Sequence, residues 1–222
     1  MKRGIFGLII LIFLLSFSSW AQEKKEKKQE LKEPKSNYSF QLWYGLYYFR
    51  HSESFKEIYG EEYFEPFGIT FGGYPIKNLG ISLNVGYAHR LGFAVSAETG
   101  EQSMEKLRLI LVPVQLELSY RFDFLEEQFL VPSVGVGGDW WYFKEHIYDG
   151  EDVEGDKTGW HAVVGLGILL DRIDPTSRFI LEDEFGIENV FLNFEVRWCW
   201  LESEDGLDLS GTGYSAGLLF EF

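Results

Sequence analysis

The sequence predicts an all-β protein, an eight-stranded antiparallel up-and-down transmembrane β-barrel with a short helix in its third inner turn. Three observations predict it. Eight segments between residues 38 and 222 alternate apolar and polar side chains with a period of two, as strands with one apolar face do. The apolar faces of these segments are aliphatic in the middle and aromatic at the ends. Residues 1–21 have the composition of an export signal.

That signal reads MKRGIFGLIILIFLLSFSSWAQ. Lys2 and Arg3 precede an apolar run from Ile5 to Phe17, and Ser19 and Ala21 sit three and one before a cut at Gln22. The run is short for a membrane-spanning helix of ~20 residues. No Cys follows the cut, so lipid attachment there is not expected. Residues 22–37 carry Lys and Glu without aromatics or apolar periodicity, which makes them a charged, disordered linker. The acidity belongs to residues 38–222, because residues 1–37 are net positive and yet the whole chain carries −15. Cys199 is the single cysteine, so no internal disulfide stabilises this exported chain.

Residues 38–222 are read as one barrel domain. Its first strand, YSFQLWYGLYYF, sets Tyr38, Phe40, Leu42, Tyr44, Leu46 and Tyr48 on one face. A short second strand, FGITFG, is followed by ISLNVGYAHRLGF, with Ser82, Asn84, Gly86, Ala88 and Arg90 on its polar face. The fourth, LRLILVPVQLELSYRF, opposes Ile110 through Phe122 to Pro113, Gln115, Glu117, Ser119 and Arg121. LVPSVGVGGDWWYF and GWHAVVGLGILLD place Asp139 and His161 on the polar faces of strands five and six. NVFLNFEVRWCW adds Asn193, Glu195 and Arg197, and YSAGLLFEF closes the set.

A soluble sandwich or lipocalin-like barrel would bury the apolar faces inward. A membrane barrel turns them outward to lipid. Aromatic placement separates the two. One rim carries Tyr48, Trp140, Tyr142, Trp160, Trp198 and Trp200, and the other Tyr38, Phe40, Tyr120, Phe122, Phe220 and Phe222. Two aromatic girdles around an aliphatic band suit a bilayer, and a soluble core has no use for them. The opposite faces form a narrow polar lumen in which Gln115, Glu117, Arg121, Asp139, Glu195 and Arg197 are expected to pair into a plug.

An even strand number puts both termini on the periplasmic side. Outer connections then span His51–Pro66, Ala94–Lys106, Lys144–Lys157 and Glu202–Asp208. Phe55, Ile58, Tyr59 and Tyr63 have helical spacing in the first, which predicts a short amphipathic helix. YPIKNLG and DFLEEQ are tight inner turns. The third inner connection, from Asp171 to Glu188, is long, and Asp174-Pro175 reads as an N-cap and first-turn proline of a helix.

The closing SAGLLFEF resembles the carboxy-terminal signal of outer-membrane proteins through Ser215, Gly217, Phe220 and Phe222. The layout resembles the small eight-stranded outer-membrane barrels of the OmpA transmembrane-domain and OmpW kind. That resemblance implies the outer membrane of a Gram-negative bacterium. It also implies assembly by the barrel-assembly machinery with periplasmic chaperones, and outer-membrane lipids and lipopolysaccharide as neighbours.

Chemical motifs are sparse. The glycines of GVGG and GLG lie mid-strand with no following helix, where inward glycines of a narrow barrel are expected. Asp149, Glu151, Asp152, Glu154 and Asp156 lack EF-hand spacing and read as a solvated acidic loop. His51, His89, His146 and His161 lack metal-ligand spacing. A lipid-acylating or deacylating barrel needs a His and a Ser together in the outer half, and His89 and Ser210 are on opposite sides. The expected protein is therefore a monomeric, non-enzymatic barrel without cofactor, metal or nucleic acid, structural or surface-interacting. Two alternatives are an OmpW-like narrow conduit for small apolar molecules and a binding module acting through acidic outer loops.

Overall fold

Alternation with a period of two gives strands, and strands with unpaired edges close on one another when the sheet can curl. The computed structural model describes residues 37–50, 52–95, 102–125, 128–148, 150–171, 175–202 and 207–222. The expected signal, the linker up to Ser36 and the cap residue Asp174 lie outside the described residues. The elements are β1 (Tyr38–Phe49), α1 (Ser52–Tyr59), β2 (Tyr63–Phe64), β3 (Phe67–Ile76), β4 (Leu79–Val95), β5 (Gln102–Arg121), β6 (Leu130–Ile147), β7 (Val153–Leu169), α2 (Pro175–Phe185), β8 (Asn189–Leu201) and β9 (Gly211–Glu221). All strand pairs are antiparallel neighbours along the sheet, and β1 also pairs with β9, which closes it.

β2 and β3 are one stave of the barrel. Both pair with β1 in a single register, Tyr47 opposite Phe64 and Tyr44 opposite Phe67. The interruption falls at Glu65–Pro66, where proline has no N–H for the ladder. The Pro66 carbonyl still accepts from Gly45 N at 2.8 Å. Counted this way, the barrel has eight staves.

The register also fixes the tilt. A row of paired residues leaves β1 at Tyr48 and runs through Thr212, Trp198, Ala162, Val136, Leu118, Ile81 and Gly73. It returns to β1 at Tyr38, a stagger of ten residues per circuit. Such a stagger over eight strands corresponds to a tilt of about 40°. Aromatics in different rows are thereby brought level. Tyr48, Tyr87, Trp140, Trp160 and Trp198 stand outward near one rim, with Trp160 stacked on Trp200 at 4.0 Å. Tyr38, Tyr120, Phe122 and Phe222 stand outward near the other. Exposed Leu42, Leu83, Leu116, Val136 and Val164 fill the band between. Ten tilted residues at ~3.3 Å each span about 25 Å, the height of a membrane barrel's apolar band.

Several connections differ from the sequence reading. The stretch expected as a third outer loop, Lys144–Lys157, is mostly ladder, since Lys144 pairs with Glu154 and Glu145 with Val153. Likewise β4 runs to Val95 and β5 starts at Gln102, so the expected loop Ala94–Lys106 is largely strand. KEHIYDGEDVEGDK and AVSAETGEQSMEK carry no apolar face of period two that would mark them as strands. The first inner turn shrinks to Lys77–Asn78, with Asn78 in the left-handed region at φ 70°, which Asn tolerates. A helix fills the long third inner connection, starting at Pro175 and ending before Gly186 at φ 69°. In the first outer connection α1 holds Phe55, Ile58 and Tyr59, while Tyr63 joins β2 instead of the helix.

The interior is not uniformly polar. Its outer third is an apolar cluster of Tyr47, Phe49, Phe64, Leu107, Leu109, Leu111, Trp141, Phe143, Leu201 and Leu209, against which α1 presses Phe55, Ile58 and Tyr59. Phe55 lies 4.6 Å from Phe49 and 4.8 Å from Phe64 between ring centroids. The expected polar lumen begins below this layer.

Candidate functional site in the barrel lumen

Inward positions on six staves meet at mid-barrel. Arg197 on β8 is the centre. Its Nη2 donates to Glu117 at 2.9 Å and to Glu195 at 3.2 Å, and its Nη1 donates to Gln115 Oε1. Gln115 accepts also from Asn84 Nδ2 at 3.1 Å, and its own amide donates to Asp139. Asn84 in turn accepts from the Trp43 indole at 3.1 Å. Asp139 accepts from the Trp141 indole at 3.2 Å and from His161 Nδ1 at 2.9 Å. His161 is fully buried, with Nε2 3.4 Å from Glu117 Oε2. Asn193 bridges Glu195 at 2.8 Å and Gln41 at 3.1 Å.

Close approach explains one glycine in this layer. A Cβ at Gly137 would meet the Leu116 carbonyl and lie 2.8 Å from His161 Nε2. The imidazole reaches Asp139 because nothing protrudes from Gly137.

Of the six expected lumen residues, the structure brings five together: Gln115, Glu117, Asp139, Glu195 and Arg197. Arg121 is separate. It pairs with Glu221 at the inner mouth, donates to Tyr74 at 2.9 Å and lies over the Phe191 ring. Glu221 also accepts from Asn189 at 3.1 Å. Gln41, Trp43, Tyr74 and Glu221 were not singled out as network members. Gln41, Trp43 and Glu221 alternate inward in the sequence, and the Trp43 indole reads there as apolar, whereas Tyr74 falls in YPIKNLG, read as a turn, and is strand in the structure. Arg90 turns toward the outer loop, 3.8 Å from Glu61 and 3.9 Å from Glu65.

Two spaces flank the network. One of about 60 Å³ lies above it, among Trp43, Tyr47, Leu111, Pro113 and Trp141, and reaches Leu46, Pro66 and Tyr214. The other, about 70 Å³, lies below, lined by Ser39, Thr70, Ser82, Ser119 and Ser133. The outer cover is pinned by Tyr59, whose hydroxyl donates to Glu145 at 2.5 Å. Burial and that carboxylate push the Tyr59 phenol well above its ordinary range.

The other expected positions sit apart. Ser215 and Gly217 face inward on β9, opposite Gly45 and Trp43, while Phe220 and Phe222 face outward. Trp140 and Tyr142 donate to Asp156 at 3.2 Å and Glu154 at 2.9 Å. Asp152 pairs with Lys144 at 2.9 Å and His146 at 2.5 Å, and Asp149 is outside the described residues. Among the described residues no cluster of His, Cys, Asp or Glu could hold a metal ion. Ser210 spends its hydroxyl on the Leu201 backbone, accepting at 2.9 Å and donating at 3.3 Å. His89 faces outward beside Tyr87.

OprG from Pseudomonas aeruginosa aligns over 84% of this chain and 96% of its own, at 12% identity and a TM-score of 0.59. Neisserial surface protein A aligns over 83% and 96%, at 15% identity and 0.52. Ail of Yersinia pestis, solved with the heparin analogue sucrose octasulfate, aligns over 84% and 99%, at 10% identity and 0.51. The chain has the small eight-stranded outer-membrane barrel fold. No family model and no curated protein matches this sequence. At such identities the likeness to outer-membrane barrels covers the fold, and this chain's own residues must supply the rest.

Proposed function

We propose that this chain is a closed, non-enzymatic barrel of the outer membrane, whose lumen is plugged by its own side chains. Both termini face the periplasm and the long hairpins face outward, where they serve a structural or surface-interaction role. One observation carries the reading: hydrogen bonds and ion pairs join Trp43 and Gln41 on β1 to Asn84 on β4, Gln115 on β5, Asp139 on β6 and Arg197, Glu195 and Asn193 on β8. Eight strands leave a bore about wide enough for side chains to fill. The apolar cluster beneath α1 adds a second barrier of different chemistry.

The test is a planar bilayer containing the refolded protein. The plug predicts small or absent ion conductance, and large, stable, ohmic conductance from the unmodified protein overturns it. A second reading, a narrow conduit for small apolar molecules, is favoured by the space above the network, which touches both lumen-facing Trp141 and outward Tyr214. Uptake of an apolar fluorescent solute into vesicles separates the two: the plug predicts none above that of protein-free vesicles.

A further inference from the structure

We propose that the outward face of β4–β6, above the outer aromatic ring, is a binding site for the phosphate of a phosphorylated lipid in the outer leaflet. This rests on the orientation given under Proposed function. The ring on this side is formed by Tyr87 and Trp140. Register places His89 opposite Ile110, Leu91 opposite Arg108 and Phe93 opposite Lys106, each further outward than the ring. Leu91 and Phe93 remain 58% and 43% exposed there. Apolar side chains beyond the aromatic ring have no hydrocarbon band of their own to meet. They are interleaved with cations: Arg108 and Lys106 are exposed on the same face, beside the His89 ring.

The neighbouring charges make these cations available. Lys144 and His146, on the next strand, are held by Asp152 at 2.9 and 2.5 Å. Among the described residues, no ion pair involves Arg108, Lys106 or His89. Arg108 instead donates to the Tyr148 hydroxyl at 3.2 Å, which steadies the guanidinium without neutralising it. A planar guanidinium beside an ammonium suits a phosphate monoester. Leu91 and Phe93 suit the chains or ring carbons attached to it. In a chain of net charge −15, an outward sector of free cations is a localised exception. Basic residues next to an apolar band are the usual footprint of anionic lipid.

The test uses native mass spectrometry of the full-length refolded barrel in detergent, titrated with lipid A carrying two phosphates, lipid A without phosphates, and inorganic phosphate. The expected result is an adduct with phosphorylated lipid A that is weakened about tenfold without its phosphates. Lys106→Glu with Arg108→Glu should weaken the adduct at least as much, and inorganic phosphate at millimolar concentration should not displace it. Equal adducts for the unmodified and charge-reversed barrels overturn the proposal, and so does displacement by inorganic phosphate. A shift in gel mobility between unboiled and boiled samples checks that the variant has folded. If it has not, Arg108→Gln with Lys106→Gln replaces it, and an undiminished adduct for that pair is equally fatal. Conductance is measured on the same preparations: an open pore would overturn the plug and leave the lipid result intact.

Discussion

Arg197 is the only guanidinium within the mid-lumen cluster of described residues, and it answers two carboxylates at once. Glu117→Ala with Glu195→Ala should strand it in a buried site. Breaking a buried pair from one side costs about 3 kcal/mol or more. Urea unfolding in detergent should show that loss, while Glu117→Gln, which keeps an acceptor for Arg197, should lose clearly less. Gly137→Ala acts by a different route. Its methyl group meets His161 and the Leu116 carbonyl, and overpacking of this kind costs about 1–3 kcal/mol. An unchanged unfolding midpoint for Gly137→Ala would show that the imidazole can move aside. Much of this layer was legible in the sequence, because an inward Glu, Arg, Gln or Asp on an alternating strand declares itself. Partner choice was not. Arg121 and Glu117 are four residues apart on one strand, yet Arg121 pairs with Glu221 across the closing seam and Glu117 with Arg197. Such pairing depends on the stagger of ten, which no local spacing encodes.

At the scale of elements, α1 is the piece that covers the apolar outer layer of the lumen. It docks through Phe55, Ile58 and Tyr59, and through the backbone at Gly92, where an added Cβ would lie 2.6 Å from the Ile58 carbonyl and 2.7 Å from the Tyr59 ring. Gly92→Val should push the helix off. Hydrogen exchange in α1 should then accelerate by about tenfold or more, while the staves keep their protection. The bilayer should stay closed, since the polar layer lies beneath. The β6–β7 hairpin has its own lever. The hydrogen bond from Lys144, followed by that from His146, holds the Asp152 carboxyl below its usual value. A depressed carboxyl contributes stability above its unfolded pKa and loses it as pH falls through the folded one. Amide protection factors at Lys144–Ile147 should therefore fall on acidification below the ordinary Asp range, and Asp152→Asn should flatten that dependence. The helix in the first outer connection was legible from the spacing of Phe55, Ile58 and Tyr59. The hairpin extensions were not, because a strand standing in water has no apolar face to reveal its period. The apolar outer third of the lumen left a trace in WWYF and LRLILV, where apolar residues occupy both faces in succession.

The described staves form a closed sheet, and a closed ladder pairs the backbone groups of its spanning segments between strands. The fold should resist dodecyl sulfate at room temperature, so unboiled and boiled samples should migrate differently on a gel. Identical migration of membrane-extracted protein would count against closure. Closure itself rests on eleven paired positions between β1 and β9, from Ser39–Glu221 to Phe49–Gly211. The same seam continues to Asn37, whose N–H donates to the Phe222 carbonyl at 2.9 Å, and Phe222 N donates back to Tyr38 at 3.0 Å. In a ring, the stave that comes first is a matter of where the chain happens to be cut. Linking Phe222 to Asn37 through a short flexible peptide and opening the chain at Gly150 would give a circular permutant with every lateral neighbour preserved. It should recover the same stagger and lumen layer, with its new ends displayed on the opposite face of the membrane.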